Sequence, residues 1–118
     1  MSFENLGLSP YLSKAITKLG FLKPFEIQTE TIPSILKGKD VMGIAKTGSG
    51  KTLCFVAPLL QKIQHQSYEK SRAVKALILV PTRELAVQIE QTFAGLQTAL
   101  RREVQTQAVY GGTSINPQ

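Results

Sequence analysis

Apolar residues recur every three to four positions in four stretches of this chain, which is the spacing of an amphipathic helix. The pattern predicts helices over residues 10–19, 26–37, 51–64 and 83–102. In the first helix the apolar face comprises Leu12, Ala15, Ile16 and Leu19. In the fourth helix, one stripe is expected to belong to the core: Leu85, Ile89, Phe93, Leu96 and Leu100.

Residues typical of helix ends flank the first two helices. Ser9 and Pro10 are expected as the N-cap and the first residue of the first helix. Gly20 and Gly38 follow the first and second helices as C-caps, and Pro33 is expected to disturb the second helix.

Three short apolar runs, over residues 41–45, 76–80 and 106–110, predict strands. The first two are apolar on both faces, as in a parallel sheet that helices cover on both sides. Strands that alternate with helices at this spacing imply right-handed crossovers. The sequence therefore predicts an α/β fold, a three-layer parallel sheet preceded by two helices.

The composition fits one small basic domain. The 118 residues include 14 Lys and Arg against 8 Asp and Glu, a net charge of +6, which favours a polyanionic partner. The single cysteine, Cys54, excludes an intrachain disulfide and fits a reducing compartment. The longest apolar stretch, residues 53–60, is far shorter than the ~20 residues of a membrane span. Because the chain also lacks a secretory signal, we expect a cytoplasmic protein without membrane association.

A glycine-containing loop lies between the first predicted strand and the third helix, and reads Ala45-Lys46-Thr47-Gly48-Ser49-Gly50-Lys51-Thr52. This order is typical of a nucleotide-binding phosphate loop, with Ala45 where glycine is usual. Glycines bring backbone N–H groups close to phosphate oxygens, and the helix that follows adds its positive end. Lys51 is predicted to contact the β- and γ-phosphates as the catalytic residue, and Thr52 to bind Mg²⁺. The alternative is a plain glycine-rich turn.

A second segment, Gly20-Phe21-Leu22-Lys23-Pro24-Phe25-Glu26-Ile27-Gln28, precedes the loop, and Phe3 lies 17 residues before Gly20. With the phosphate loop, it resembles the Q motif of the DEAD-box ATP-dependent RNA helicases. Phe25 and Glu26 stand where that family more often has Thr-Pro.

The resemblance implies that Gln28 contacts adenine and that Phe3 packs against the base. A glutamine amide offers one donor and one acceptor, which match the edge of adenine and not that of guanine. Gln28 would therefore favour ATP over GTP. The alternatives are a capping or surface role for Gln28, and a Phe3 that packs on the first helix.

The end of the second predicted strand, Pro81-Thr82-Arg83-Glu84-Leu85-Ala86, resembles a motif with which the same family grips the RNA backbone. Gly111-Gly112 resembles the family's glycine pair, whose backbone approaches RNA. The resemblance thus implies RNA binding by Pro81, Thr82, Arg83, Gly111 and Gly112. Thr82 also suits a helix N-cap and Glu84 the first helical turn, whereas a cation such as Arg83 opposes the helix dipole there.

The resemblance runs from Phe3 to Gly112, and the sequence contains no Asp-Glu-Ala-Asp motif. It implies an incomplete RecA-like P-loop NTPase domain, with a helical Q-motif segment over residues 1–40 and the N-terminal part of the RecA-like domain over residues 41–118. The missing C-terminal helicase portion would leave this chain able to bind ATP without efficient turnover. It would also leave an exposed sheet edge through which the chain could self-associate. The N-terminus is similar to bacterial members of the family, including RhlE-like ones.

Two other functions are compatible with these motifs. One is a stand-alone nucleotide- or RNA-binding module without turnover, and the other is a different P-loop NTPase that acts on DNA. Cys54 is expected to be a packing residue, because no histidine lies near it in sequence. His65 lacks neighbouring metal ligands.

Overall fold

The computed structural model describes residues 2–46, 48, 50–65, 74–97 and 107–109. Within these ranges, regular structure consists of a short 3-10 turn, Glu4–Leu6, and of four α-helices. The helices are α1 (Pro10–Lys18), α2 (Glu26–Leu36), α3 (Lys51–His65) and α4 (Arg83–Gln97). All four predicted helices are confirmed, and the predicted end of the fourth lies outside the described residues.

The first helix begins and ends at the residues that the sequence marks. The Ser9 hydroxyl oxygen accepts the N–H of Leu12 at 3.3 Å, and Pro10 is the first helical residue. Beyond the C-terminus, Gly20 donates to the Thr17 carbonyl and Phe21 to the Ile16 carbonyl, which is the Schellman arrangement.

The second helix ends in the same arrangement, although Pro33 interrupts it. Gly38 donates to the Ile35 carbonyl and Lys39 to the Ser34 carbonyl. Pro33 has no N–H, so α2 lacks one internal hydrogen bond and still runs to Leu36.

One hydrophobic core joins the N-terminal turn to all four helices, and α3 packs against both α2 and α4. Its buried side chains include Phe3, Leu6, Leu12, Ile16, Ile32, Leu53, Val56, Leu60, Ile89, Phe93 and Leu96. Two residues that the helical pattern assigns to the core are exposed, Leu19 by 42% and Leu85 by 37%. Both lie at a helix end, Leu19 as the C-cap of α1 and Leu85 in the first turn of α4, where neighbours cover less of the side chain. Leu100 lies outside the described residues.

No strand forms among the described residues, so the predicted strands over 41–45 and 76–80 are not observed as such. The third predicted strand is described only at 107–109, again without regular structure. A strand requires a hydrogen-bonded ladder with a neighbour, and an apolar run alone does not supply one.

Among the residues that the structure describes, only one face of residues 76–80 is covered, whereas the sequence predicts burial of both faces. Ile78 and Val80 pack against the core, whereas Leu77 and Leu79 are 77% and 85% exposed. The first run is more open: Val41, Met42 and Ile44 are 40%, 88% and 85% exposed, and only Ala45 is half-buried. The helices cover one side of residues 76–80, and nothing among the described residues covers Leu77, Leu79, Met42 and Ile44.

One side chain of α3, that of Gln61, makes two hydrogen bonds with the backbone of the N-terminal segment. The Gln61 Oε1 accepts the N–H of Ser9 at 2.7 Å, and the Gln61 Nε2 donates to the Gly7 carbonyl at 2.7 Å. Both atoms of the amide are therefore used, and the turn that carries Phe3 is held against the helix that begins at the phosphate loop.

Among the described residues, no helix has the length and apolar character that crossing a bilayer requires.

Candidate nucleotide-binding site

The phosphate loop leads directly into α3, as the sequence predicts. Gly48 and Gly50 have φ angles of +85° and +80°, in the left-handed region that side chains rarely occupy. The loop therefore turns at both glycines and delivers the chain to the first helical residue, Lys51. Thr47 and Ser49 lie outside the described residues. An anion beside Gly50 would meet the positive end of a 15-residue helix.

Lys51 lies at the mouth of this loop. Its side chain is exposed, and its Nζ donates to the Ala45 carbonyl at 2.6 Å, across the base of the loop. The cation is therefore held within the loop by a backbone oxygen that a phosphate oxygen could replace. Thr52 follows it, half-buried in the first turn of α3.

Gln28 lies against the other end of the loop. Its side chain is fully buried, with 0% exposure. The Oε1 accepts the N–H of Phe25 at 2.8 Å, and the Nε2 donates to the Gly50 carbonyl at 3.1 Å. The structure thus brings the predicted base-reading residue and the phosphate loop together. In this arrangement, Gln28 caps α2 and fixes a loop carbonyl.

The aromatic residues of the N-terminal region occupy two different environments. Phe3 is only 2% exposed and belongs to the core, which agrees with the alternative of an aromatic packed on α1. Phe25 is 47% exposed, and its ring meets that of Phe21 edge to face, with centroids 6.5 Å apart. The aromatic surface beside the loop therefore belongs to Phe25, while Phe3 contributes to the core.

Sequence reasoning missed two neighbours of Gly50. A Cβ built on Gly50 would lie 2.9 Å from the Phe25 Cδ2 and would overlap the Gln28 Nε2. Cys54 donates from its Sγ to the Gly50 carbonyl at 3.6 Å, and burial raises the pKa of its thiol. The signal for Phe25 was its departure from the usual Q-motif residue, and that for Cys54 was its position one helical turn after Gly50.

The predicted RNA-contacting segment precedes and begins α4. Thr82 accepts the N–H of Leu85 on its Oγ1 at 3.2 Å, which confirms it as the N-cap, and Glu84 lies in the first turn. Pro81 and Arg83 are exposed. Gly111 and Gly112 lie outside the described residues.

The part of the chain that the structure describes holds no group of three or more His, Cys, Asp or Glu side chains suited to a metal. Magnesium prefers six oxygen ligands and retains waters and substrate phosphate oxygens. The Thr52 hydroxyl beside the phosphate loop could supply one of these oxygen ligands to an ion whose other ligands come from the nucleotide and from water.

Comparison with known proteins connects this site to a family. The sequence profile of the DEAD/DEAH box helicases matches residues 25–118. The pre-mRNA-processing ATP-dependent RNA helicase PRP5 of Candida albicans is 46% identical over 100% of this chain and 14% of its own length. The ATP-dependent RNA helicase DeaD of Klebsiella pneumoniae is 44% identical over 99% of this chain and 17% of its own length.

Two solved structures of helicases are also similar to this chain. The crystal structure of the RNA helicase Prp28 from Chaetomium thermophilum bound to ADP matches 99% of this chain with a TM-score of 0.85 and 38% identity. A DEAD box protein from Methanococcus jannaschii matches with a TM-score of 0.82 and 36% identity. The chain spans 28% and 31% of these two structures.

Proposed function

The chain belongs to the DEAD/DEAH box helicase family, and from this premise we propose that it is the ATP-binding part of an ATP-dependent RNA helicase. The complete protein would couple ATP binding and hydrolysis to RNA unwinding. The names of its relatives and the ADP-bound structural neighbour support this proposal. Because the chain spans only 14% and 17% of the two relatives described, it would supply nucleotide binding and leave turnover to the rest of the protein.

The observation that carries the proposal is the geometry of the phosphate loop. Two glycines with positive φ lead into the N-terminus of α3, and the ammonium group of Lys51 already lies on a loop carbonyl. On binding, Lys51 would exchange the Ala45 oxygen for a phosphate oxygen, which is charged and is therefore the stronger acceptor. Thr52 would supply one oxygen to the Mg²⁺ that accompanies ATP.

The adenine end of the site would form around the start of α2. Gln28 lies next to Gly50, and the amide retains one N–H and one lone-pair direction beyond its two protein hydrogen bonds. Contact with adenine would require the buried side chain to become accessible. Phe3 would act from the core, as support for this region.

RNA would lie along the segment that includes Pro81, Thr82 and Arg83, together with the backbone of Gly111 and Gly112. Arg83 is exposed at the N-terminus of α4, where its charge opposes the helix dipole. A phosphate beside it would relieve that repulsion and also accept the N–H groups of the first turn.

The uncovered apolar side chains support a three-layer α/β architecture in the complete domain. Met42, Ile44, Leu77 and Leu79 would be covered there by residues beyond those that the structure describes. In the isolated chain, the same side chains would promote self-association, because water-exposed apolar patches associate.

Nucleotide titration by calorimetry tests the proposal. The chain is expected to bind Mg·ATP more tightly than Mg·GTP, and Lys51→Ala to weaken ATP binding by at least about tenfold. Lys62→Ala, in the same helix but about 16 Å further along it, is the matched control and should bind as the wild type does. Equal affinity for ATP and GTP would instead favour a different P-loop NTPase.

RNA binding needs its own experiment. Arg83→Ala should weaken the binding of a fluorescent single-stranded RNA about fivefold or more, whereas Lys37→Ala, which removes the same charge elsewhere, should have a smaller effect.

RNA-stimulated ATP hydrolysis is expected only when the remaining length of the helicase is joined to this chain. Efficient hydrolysis by the 118-residue chain alone would contradict that expectation.

A further inference from the structure

Phe25 occupies a helix position that a small polar residue normally fills. It is the N-cap of α2, with extended backbone angles of φ −73° and ψ 161°, and its side chain makes no capping hydrogen bond. Ser, Thr, Asp or Asn at an N-cap accepts a backbone N–H of the first helical turn and so stabilises the helix, which phenylalanine cannot do. Gln28 makes the reciprocal bond alone, by accepting the Phe25 N–H. The sequence therefore places a ring where stability of α2 favours a hydroxyl.

The ring of Phe25 is not part of the hydrophobic core either. Phe25 is 47% exposed and lies outside the core cluster that the described residues form. Its edge-to-face contact with Phe21, at 6.5 Å and 88°, links it to a side chain that packs on that core. Phe25 is thus an aromatic side chain on a fixed support, with half of its surface outside the packed interior.

The contact that distinguishes this ring is with Gly50. A single added carbon on Gly50 would approach the Phe25 Cδ2 to 2.9 Å, and it would overlap the Gln28 Nε2. The Gln28 amide also donates to the Gly50 carbonyl. Gly50 is therefore enclosed by a ring edge and by an amide, and both of these groups come from the start of α2.

We propose that Phe25 is a positioning residue for the phosphate loop, whose ring holds the Gly50 backbone in place against the Gln28 amide. Gly50 precedes Lys51, so the direction in which the loop presents the start of α3 depends on this one backbone position. A glycine in open solvent samples many conformations, and fixing it before the ligand arrives removes an entropic cost from binding. The ring makes this contribution without contacting the base.

This inference rests on the proposed function, because the affinity for phosphates is its readout. Two ligands separate positioning from base stacking: Mg·ATP, and magnesium with inorganic tripolyphosphate, which has no base. Phe25→Ala should weaken the binding of both by the same factor, about fivefold. Phe25→Leu retains bulk against Gly50 and should recover most of that loss for both ligands.

Phe25→Thr separates positioning from stability. Threonine restores an N-cap oxygen, so the unfolding midpoint of Phe25→Thr should equal or exceed that of the wild type. Because the variant lacks the ring, its affinity for tripolyphosphate should nevertheless fall as far as that of Phe25→Ala. A variant that is more stable but binds more weakly cannot be explained by a general loss of fold.

A spectroscopic measurement tests the contact without any ligand. The ring current of Phe25 should displace the Gly50 amide resonance, and this displacement should vanish in Phe25→Leu, which leaves the fold intact. An unchanged Gly50 resonance would overturn the proposal. So would a loss of ATP affinity in Phe25→Ala with unchanged tripolyphosphate affinity, since that pattern indicates contact with the base.

Lys51→Ala keeps the two proposals distinguishable. If Lys51→Ala loses tripolyphosphate binding and Phe25→Ala retains it, the positioning role fails while the nucleotide site stands. If the wild-type chain binds neither ligand, the proposed function fails and the positioning role fails with it.

Discussion

The side-chain amide of Gln28 joins the first turn of α2 to the carbonyl of Gly50, 22 residues later in the chain, through a hydrogen bond of 3.1 Å. The same amide accepts the Phe25 N–H and is wholly removed from solvent. The residue that resemblance assigns to base recognition is therefore also a structural link between two parts of the site. Its loss should be measurable in the absence of nucleotide.

Gln28→Ala should destabilise the chain by about 2–4 kcal/mol, since it empties a buried position, removes two hydrogen bonds and leaves the part-buried Phe25 N–H and Gly50 carbonyl with fewer partners. Urea unfolding followed by circular dichroism measures the change. Gln88→Ala, at an exposed position in α4, is the matched control and should lie within about 0.5 kcal/mol of the wild type. A similarly small effect at Gln28 would contradict the described role of the amide.

Gly50→Ala and Gly48→Ala should differ, although both glycines have positive φ. Alanine at Gly48 would meet no atom of the described residues within 4 Å, so only backbone strain of about 1 kcal/mol is expected. Alanine at Gly50 would add overlap with Phe25 and Gln28, and its total cost should be about 2–4 kcal/mol. Equal unfolding free energies for the two variants would show that Gly50 is not enclosed.

Leu79→Ser and Val80→Ser should have opposite consequences. Leu79 is 85% exposed, so serine there should leave the unfolding free energy within about 0.5 kcal/mol and reduce both self-association and binding of an apolar dye. Val80 packs against the core, and serine there should destabilise the chain by about 1–3 kcal/mol. Sedimentation velocity and urea unfolding separate the two effects. If the Leu79→Ser chain associates as strongly as the wild type, the exposed apolar side chains are not the cause of self-association.

The thiol of Cys54 should react slowly with labelling reagents in the folded chain. It should also make the free energy of unfolding depend on pH in the alkaline range. Burial raises the pKa of this thiol, so the folded chain retains the proton more tightly than the unfolded chain does. The resulting stability is complete below the unfolded pKa of about 8.5 and is lost as pH rises through the folded value.

Thiol labelling at pH 8 should therefore be slow in buffer and fast in urea. Above about pH 8.5, the unfolding free energy of the wild type should fall more steeply than that of Cys54→Ala, which has no thiol to titrate. Parallel curves for the two proteins would exclude a raised pKa at this position.

The sequence predicts the helices well because their ends are local. Ser9, Gly20 and Gly38 act within one turn of their own helix, so their effect can be inferred from a short stretch of chain. The strands could not be predicted as securely, since a ladder depends on a neighbour elsewhere in the chain. Residues 76–80 are apolar at consecutive positions, but that composition does not state whether one face or both will be covered.

The candidate site shows the same division. The phosphate loop and the Thr82 N-cap follow from adjacent residues and were predicted. The contacts of Gly50 with Phe25 and Gln28 join residues more than 20 positions apart, and packing decides them. The sequence supplied one indication, a phenylalanine where a small polar residue is usual, without the contact that gives it meaning.

Gln61 holds two backbone groups of the N-terminal segment with one planar amide, the N–H of Ser9 through its oxygen and the Gly7 carbonyl through its nitrogen. Because the two atoms cannot rotate independently, a turn of the amide breaks both hydrogen bonds together. The two hydrogen bonds therefore form and break together, while the core packing of Phe3, Leu6 and Leu8 is a separate attachment. Through this one amide, the backbone on either side of Leu8 is tied polar group by polar group to α3, the helix that begins at the phosphate loop.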